Sequence, residues 1–168
     1  MKPAGVIGAG SFGITVAKLL SENVDVLLFS RKEALVHHIN NKHEHLGYAL
    51  SERVTATMDL KFICASCDVI FLVVPSGAMR ATMQAMSAYL RPYHIVIHGT
   101  KGLDTSLIND EDLEAGHFDI KQVCTMSEVI SQESSVLRIG CMAGPNLAKE
   151  ILSNLPAASV IASEFDEV

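Results

Sequence analysis

Six residues near the start of the chain, Gly8-Ala9-Gly10-Ser11-Phe12-Gly13, have the types and spacing needed to hold a pyrophosphate. Gly8 allows a tight turn, Gly10 lets the backbone approach a phosphate without a Cβ in the way, and Gly13 lets the next helix pack closely. The N–H groups that begin this helix attract phosphate through their partial positive charge. Glycine-rich turns also occur without a ligand, but this position between a strand and a helix favours dinucleotide binding.

Turn-forming and polar residues follow four further apolar runs that are typical of buried strands. They are Ser30-Arg31, Val74-Pro75-Ser76, Gly99-Thr100-Lys101-Gly102 and Gly144-Pro145-Asn146. Carboxyl ends of parallel strands meet at one edge of a sheet, where ligands bind. Each proline or glycine could serve only to end a strand. Their joint position instead predicts a cofactor crevice bordered by Pro75, with Lys101 held against it by the backbone.

The residues after the second strand bear on the choice between NAD and NADP. An acidic side chain there would bind the ribose 2′-hydroxyl of NAD, but this chain has Ser30, Arg31 and Lys32. Arginine and lysine accommodate a 2′-phosphate, and they are also common in solvated turns. We therefore expect Ser30 and Arg31 to contact the cofactor, and both NAD and NADP remain open.

The elements that must bring these turns together alternate between strand and helix. Apolar runs predict seven strands, at residues 4–7, 24–29, 54–57, 69–74, 95–97, 139–142 and 158–162. Helical periodicity predicts a helix after the glycine loop with Phe12, Val16, Leu19 and Leu20 facing inward, and further helices at residues 33–41, 60–63, 76–90, 120–132 and 147–152. Residues 103–119 are predicted to be an acidic surface excursion. This alternation is typical of an α/β protein with a doubly wound, mostly parallel sheet, which is a Rossmann-like fold.

Composition restricts the functional class. Hydrophobic residues make up 49% of the 168 residues and charged residues 19%, which favours one globular domain. A formal charge of −6 disfavours binding to nucleic acid, and no apolar run is long enough for a membrane span. Four cysteines and no secretory signal pattern fit a cytoplasmic protein with reduced thiols. We expect Cys64 and Cys67 to be structural, and no metal site, because four nearby histidines (His37, His38, His43 and His45) lack a paired carboxylate or cysteine set.

Five motifs together resemble those of NAD(P)-dependent glycerol-3-phosphate dehydrogenases. They are the glycine loop; Val73-Val74-Pro75-Ser76 followed by Arg80; Thr100-Lys101-Gly102-Leu103; Met126-Ser127-Glu128-Val129-Ile130; and Ala143-Gly144-Pro145-Asn146-Leu147-Ala148-Lys149-Glu150. The resemblance implies dinucleotide contacts at Ser11, Phe12, Arg31, Lys101 and Ala148. It also implies glycerol 3-phosphate contacts at Lys101, Gly144 and Asn146. The implied reaction interconverts sn-glycerol 3-phosphate and dihydroxyacetone phosphate, and Lys101 is the implied catalytic residue.

The resemblance also implies a second, helical domain that this chain lacks. We expect residues 1–163 to be the dinucleotide-binding domain and residues 164–168 to begin the linker, so this fragment should be inactive alone. The general base is expected in the helical domain, and Lys149 is expected on a solvated helix face. The sequence does not decide the oligomeric state, and a homodimer of the full-length protein is left open. Two alternatives remain: another hydroxy-acid dehydrogenase of the same fold, and a non-enzymatic dinucleotide-binding module.

Overall fold

A seven-stranded sheet runs through the computed structural model, which describes all residues from Met1 to Val168. Its strands are β1 (Ala4–Ile7), β2 (Val26–Phe29), β5 (Val54–Thr57), β6 (Val69–Leu72), β7 (Ile95–His98), β10 (Arg138–Ala143) and β11 (Val160–Ser163), in the order β11-β10-β7-β6-β1-β2-β5. The other four strands form two separate two-stranded sheets, β3 (Glu44–His45) with β4 (Tyr48–Ala49) and β8 (Leu103–Asp104) with β9 (Cys124–Thr125). All neighbouring pairs of the seven-stranded sheet are parallel except β10 and β11. The predicted α/β, mostly parallel sheet is therefore confirmed, and each predicted strand end lies within two residues of the observed end.

Helices cover both faces of the sheet. They are α1 (Ser11–Leu20), α2 (Glu33–Lys42), α3 (Leu60–Ser66), α4 (Ser76–Ser87), α5 (Asp110–Ala115), α6 (Met126–Glu133) and α7 (Ala148–Leu152). One hydrophobic core contains apolar residues of α3, α4 and α6, and a second contains those of α1, α2 and α7. None of these helices is both long enough and apolar enough to cross a membrane.

Helix α4 shows how periodicity builds the first core. Met79, Met83, Met86 and Leu90, at helical spacing, are all fully buried, which confirms the prediction that this stripe fills the core. Flexible methionine side chains suit such a role because they adapt to irregular gaps. The predicted helix is too long, however, because α4 ends at Ser87.

Cys64 and Cys67 pack in the same core as free, buried thiols, as predicted. Burial raises the pKa of Cys64 to about 11 and that of Cys67 to about 12. Since the thiolate is the reactive form of cysteine, both thiols remain protonated and unreactive at neutral pH.

The inner face of α1 was predicted incorrectly at Leu19. Residues Gly13, Ile14, Val16 and Ala17 are buried, whereas Leu19 is 46% exposed. The close packing of Gly13 sets the rotation of the helix. Leu19 lies about 120° around the axis from Gly13, on the solvent side, at 100° per residue.

Residues 103–133 differ most from the prediction. Strand β8 (Leu103–Asp104) pairs in antiparallel fashion with β9 (Cys124–Thr125), so Asp104 is buried instead of lying on a surface excursion. The predicted helix over residues 120–132 is a 3₁₀ turn (Ile120–Gln122), then β9, then α6. Thr125 begins α6 through a capping box, in which its hydroxyl accepts the Glu128 N–H and the Glu128 carboxylate accepts the Thr125 N–H.

Candidate functional site

The glycine loop between β1 and α1 has room for a ligand at one position and none at two others. A Cβ on Gly8, which has a φ of +118°, would lie 2.7 Å from the carbonyl oxygen of Val73. A Cβ on Gly13 would lie 2.8 Å from the carbonyl carbon of Gly8 and overlap its oxygen. A Cβ on Gly10 would meet nothing within 4 Å. Gly8 and Gly13 are thus required by the fold, whereas Gly10 faces open space.

The start of α1 is suited to bind an anion. Gly10 is the N-cap, no side chain caps the helix, and the first turn has no acidic residue. Helix N-termini leave their first N–H groups without intrahelical partners, so those of Ser11 and Phe12 are available to a phosphate. The space beside Gly10 and these free donors therefore fit a pyrophosphate.

The turn after β2 contains two predicted cofactor contacts, of which Ser30 is buried and Arg31 is exposed. Ser30 is 6% exposed, and its hydroxyl accepts the N–H of Lys32 at 3.1 Å. Arg31 is exposed beside it. Ser30 therefore shapes the turn, and Arg31 is available to a ligand at this edge of the sheet.

A hairpin that the sequence did not predict lies against the glycine loop. It consists of β3 (Glu44–His45) and β4 (Tyr48–Ala49). Nε2 of His45 lies 3.1 Å from the carbonyl oxygen of Ala9. His45 is thus half-buried against the loop and is not simply an exposed loop residue. No group of three or more His, Cys, Asp or Glu side chains is arranged to hold a metal ion.

Residues Gly99 to Gly102, which we call the lysine turn, lie close to the glycine loop. A Cβ on Gly99 would lie 2.8 Å from the Phe12 ring, so the two segments pack together. The hydroxyl of Thr100 donates to the carbonyl oxygen of Val74 at 2.7 Å, which ties the turn to the segment before Pro75. Lys101 itself is exposed.

The loop after β10 forms the next border of the crevice, because β10 pairs with β7. A Cβ on Gly144 would overlap the carbonyl of Ala158. Asn146 is half-buried, and its Oδ1 accepts the hydroxyl of Ser159 at 2.9 Å. Ala148 begins α7, on which Lys149 is exposed as predicted. The structure therefore places the lysine turn and the Asn146 loop at the ends of adjacent strands.

His98, the last residue of β7, is a buried polar residue for which the sequence predicted no role. It is 4% exposed, and its Nε2 lies 2.9 Å from the hydroxyl of Ser127. Burial lowers the pKa of His98, although a backbone interaction with Thr100 opposes this shift. His98 is therefore neutral at physiological pH. Its position one residue before Gly99 was visible in the sequence, but its burial was not.

The whole chain is similar to proteins named glycerol-3-phosphate dehydrogenase. Residues 3–168 match the family described as NAD-dependent glycerol-3-phosphate dehydrogenase N-terminus. The glycerol-3-phosphate dehydrogenase (NAD(P)+) of Saccharophagus degradans is 36% identical over 97% of this chain and 43% of its own length. A second such protein, from Sphingopyxis alaskensis, is 34% identical over 98% of this chain and 46% of its own length. The chain thus spans less than half the length of these curated relatives.

Solved structures agree on the fold. The crystal structure of glycerol-3-phosphate dehydrogenase from Coxiella burnetii has a TM-score of 0.82 at 26% identity, over 99% of this chain and 48% of that one. An NDP-N-acetyl-D-galactosaminuronic acid dehydrogenase from Methanosarcina mazei has a TM-score of 0.68 at 15% identity, over 99% of this chain and 39% of that one. The second likeness concerns the fold alone.

Proposed function

Because the chain belongs to the NAD-dependent glycerol-3-phosphate dehydrogenase N-terminus family, we propose that it is the cofactor-binding domain of an enzyme that interconverts sn-glycerol 3-phosphate and dihydroxyacetone phosphate. The structural observation that supports cofactor binding is the open space at Gly10, beside the uncapped start of α1, and the family match supports the reaction. The relatives named above are NAD(P)+ enzymes. NAD or NADP is accordingly the proposed cofactor.

The proposed cofactor contacts follow the carboxyl edge of the sheet. In this proposal the glycine loop, with Ser11 and Phe12, holds the pyrophosphate, and the exposed Arg31 supplies a cation to a 2′-phosphate. The other proposed contacts are Ser30, Pro75, Lys101 and Ala148. When bound, the nicotinamide supplies hydride transfer to or from the substrate carbon.

The proposed substrate contacts are Lys101, Gly144 and Asn146. The Lys101 ammonium donates a hydrogen bond to the substrate oxygen that changes between alcohol and carbonyl, and so orients it for the reaction. Asn146 supplies amide donors to the phosphate-bearing substrate, with its Oδ1 already held by Ser159. These residues form one side of a pocket. The general base that the oxidation needs is proposed to lie in the remaining part of the full-length enzyme.

We also propose a cellular compartment for the protein. Four free cysteines support a reducing compartment such as the cytoplasm. A homodimer of the full-length protein stays open.

Turnover of the full-length protein that carries this chain tests the proposal. We expect Lys101→Met to lower turnover by at least about tenfold, because the substrate oxygen loses its ammonium donor. The affinity for NADH should change by less than about tenfold, which corresponds to 1.4 kcal/mol. Lys149→Met, a matched change on an exposed helix face, should leave both quantities near wild type. Unchanged glycerol 3-phosphate oxidation by Lys101→Met would reject the assigned site. NADH binding without any dehydrogenase activity in the wild type would favour a non-enzymatic module.

A further inference from the structure

Arg80 on α4 follows the motif Val73-Val74-Pro75-Ser76, yet it is not among the proposed cofactor or substrate contacts. Its side chain is 17% exposed. Nε and Nη2 donate to Oδ2 of Asp104 at 2.9 Å and 2.7 Å. Such a two-nitrogen contact fixes the direction of the guanidinium as well as its distance.

The same guanidinium also binds α6. Nη1 donates to the Glu133 carboxylate, and Nη2 donates to Oε1 of Gln132 at 3.0 Å. Ser106 completes the group, since its hydroxyl and its N–H both donate to Asp104. We call these five residues the Arg80 cluster. It joins α4, the segment after Lys101 and α6 through one side chain.

Asp104 is the member of the cluster that is closest in sequence to Lys101. Its side chain is 6% exposed. Burial alone would raise the pKa of Asp104, but hydrogen bonds from Arg80 and Ser106 outweigh it and lower the pKa. Asp104 is therefore ionised at neutral pH. Removing Arg80 would leave a buried carboxylate without its cation, which is strongly unfavourable.

The lysine turn is fixed on both sides of Lys101. Before it, Thr100 donates to the carbonyl oxygen of Val74. After it, Gly102 has a φ of +114°, and a Cβ there would lie 3.1 Å from Oγ of Ser76, the first residue of α4. Asp104 follows Lys101 by three residues, about 10 Å of extended chain at most. Fixing Asp104 to α4 thus limits how far the backbone of Lys101 can move.

We propose that Arg80 is a positioning residue, which holds the backbone of Lys101 in the crevice by binding Asp104. Arg80 does not contact substrate in this role, since each of its three side-chain nitrogens already donates within the cluster, to Asp104, Ser106, Gln132 or Glu133. The inference rests on the proposed function of Lys101. It adds that a contact outside the crevice sets the position of the substrate-binding lysine.

Asp104→Asn is the main test, because it keeps the shape of the side chain and removes the charge. In the full-length protein we expect Asp104→Asn and Arg80→Met each to lower kcat by about tenfold or more, with NADH affinity almost unchanged. Arg80→Lys should restore only part of the loss, because a lysine lacks the planar fork. Lys2→Met is the control, since it removes an exposed 2.7 Å ion pair with Asp68 and should not affect kcat.

A double-mutant cycle separates positioning from general destabilisation. If Arg80 acts through Lys101, Asp104→Asn should cost little more once Lys101 is methionine. Losses that multiply in full would overturn the inference, as would a wild-type kcat in Asp104→Asn. If Arg80→Met does not fold, the cycle with Asp104→Asn still tests whether the Arg80 cluster acts through Lys101. If Lys101→Met alone has wild-type turnover, the proposed function fails instead.

Discussion

A methyl group added to the glycine loop should act on stability at one position and on binding at another. At Gly13 the added Cβ would lie 2.8 Å from the carbonyl carbon of Gly8, overlap its oxygen, and approach Val73 Cγ2 to 3.3 Å. At Gly10 it would meet nothing within 4 Å, and the local φ of −80° suits any residue. Gly13→Ala and Gly10→Ala are therefore a useful pair, because the same added methyl group meets backbone at one position and open space at the other.

The magnitudes follow from these contacts. Overpacking costs about 1–3 kcal/mol, and Gly13→Ala belongs at the upper end because a backbone carbonyl must move. Alanine has a helix propensity about 1 kcal/mol better than glycine. The net loss in the free energy of unfolding is then about 2 kcal/mol. Gly10→Ala should cost at most about 1 kcal/mol, from the preference of N-caps for glycine over alanine.

Urea unfolding without cofactor and calorimetric titration with NADH measure the two effects separately. We expect Gly10→Ala to unfold near the wild-type midpoint and to bind NADH at least about tenfold more weakly. Gly13→Ala should unfold at clearly lower urea. Wild-type stability in Gly13→Ala would refute the close approach of α1 to Gly8. Wild-type NADH affinity in Gly10→Ala would refute a pyrophosphate at Gly10.

Two further predictions concern charge and pH. Arg31→Ala should weaken NADPH more than NADH by about 1–3 kcal/mol, because a contact to the 2′-phosphate is lost; equal losses in the two titrations would mean that Arg31 does not face that phosphate. Because the pKa of His98 is lowered in the folded state from 6.5, the unfolded chain gains this proton first as pH falls. The wild type should therefore lose stability relative to His98→Gln below about pH 6.5, by at most about 1.4 kcal/mol per pH unit, and parallel unfolding curves from about pH 8 to about pH 5 would contradict this.

Local patterns were sufficient to predict most of the sheet and the glycine loop. Strand β6 is an unbroken apolar run, and the stripe of α4 has helical spacing, so both were recognisable within a short window. The capping box of Thr125 and Glu128 was also a local signal, and reading it would have moved the start of α6 to Met126. The exposed Leu19 depends on how Gly13 packs, which spacing alone does not give.

Contacts between distant residues could not be predicted in this way. Strand β8 pairs with β9, which is about twenty residues later in the chain, and neither two-residue strand has a pattern of its own. Arg80 meets Asp104 and Glu133 only because α4 and α6 pack on the same face of the sheet. A partly buried ion pair between residues so far apart leaves no periodic trace in the sequence.

The glycine loop and the lysine turn, on two sides of the crevice, are fixed by different kinds of contact, so substitutions in them should have different effects. The glycine loop is fixed by backbone contacts at Gly8 and Gly13, so a change there alters packing before it alters chemistry. The lysine turn also packs closely at Gly99 and Gly102, but Thr100 and Asp104, on either side of Lys101, are held by polar contacts. Hydrogen bonds tolerate small displacements that close backbone packing does not. Weakening one of them without removing Arg80, as in Asp104→Asn, should therefore leave the chain folded while it misplaces Lys101, and rates depend steeply on such placement.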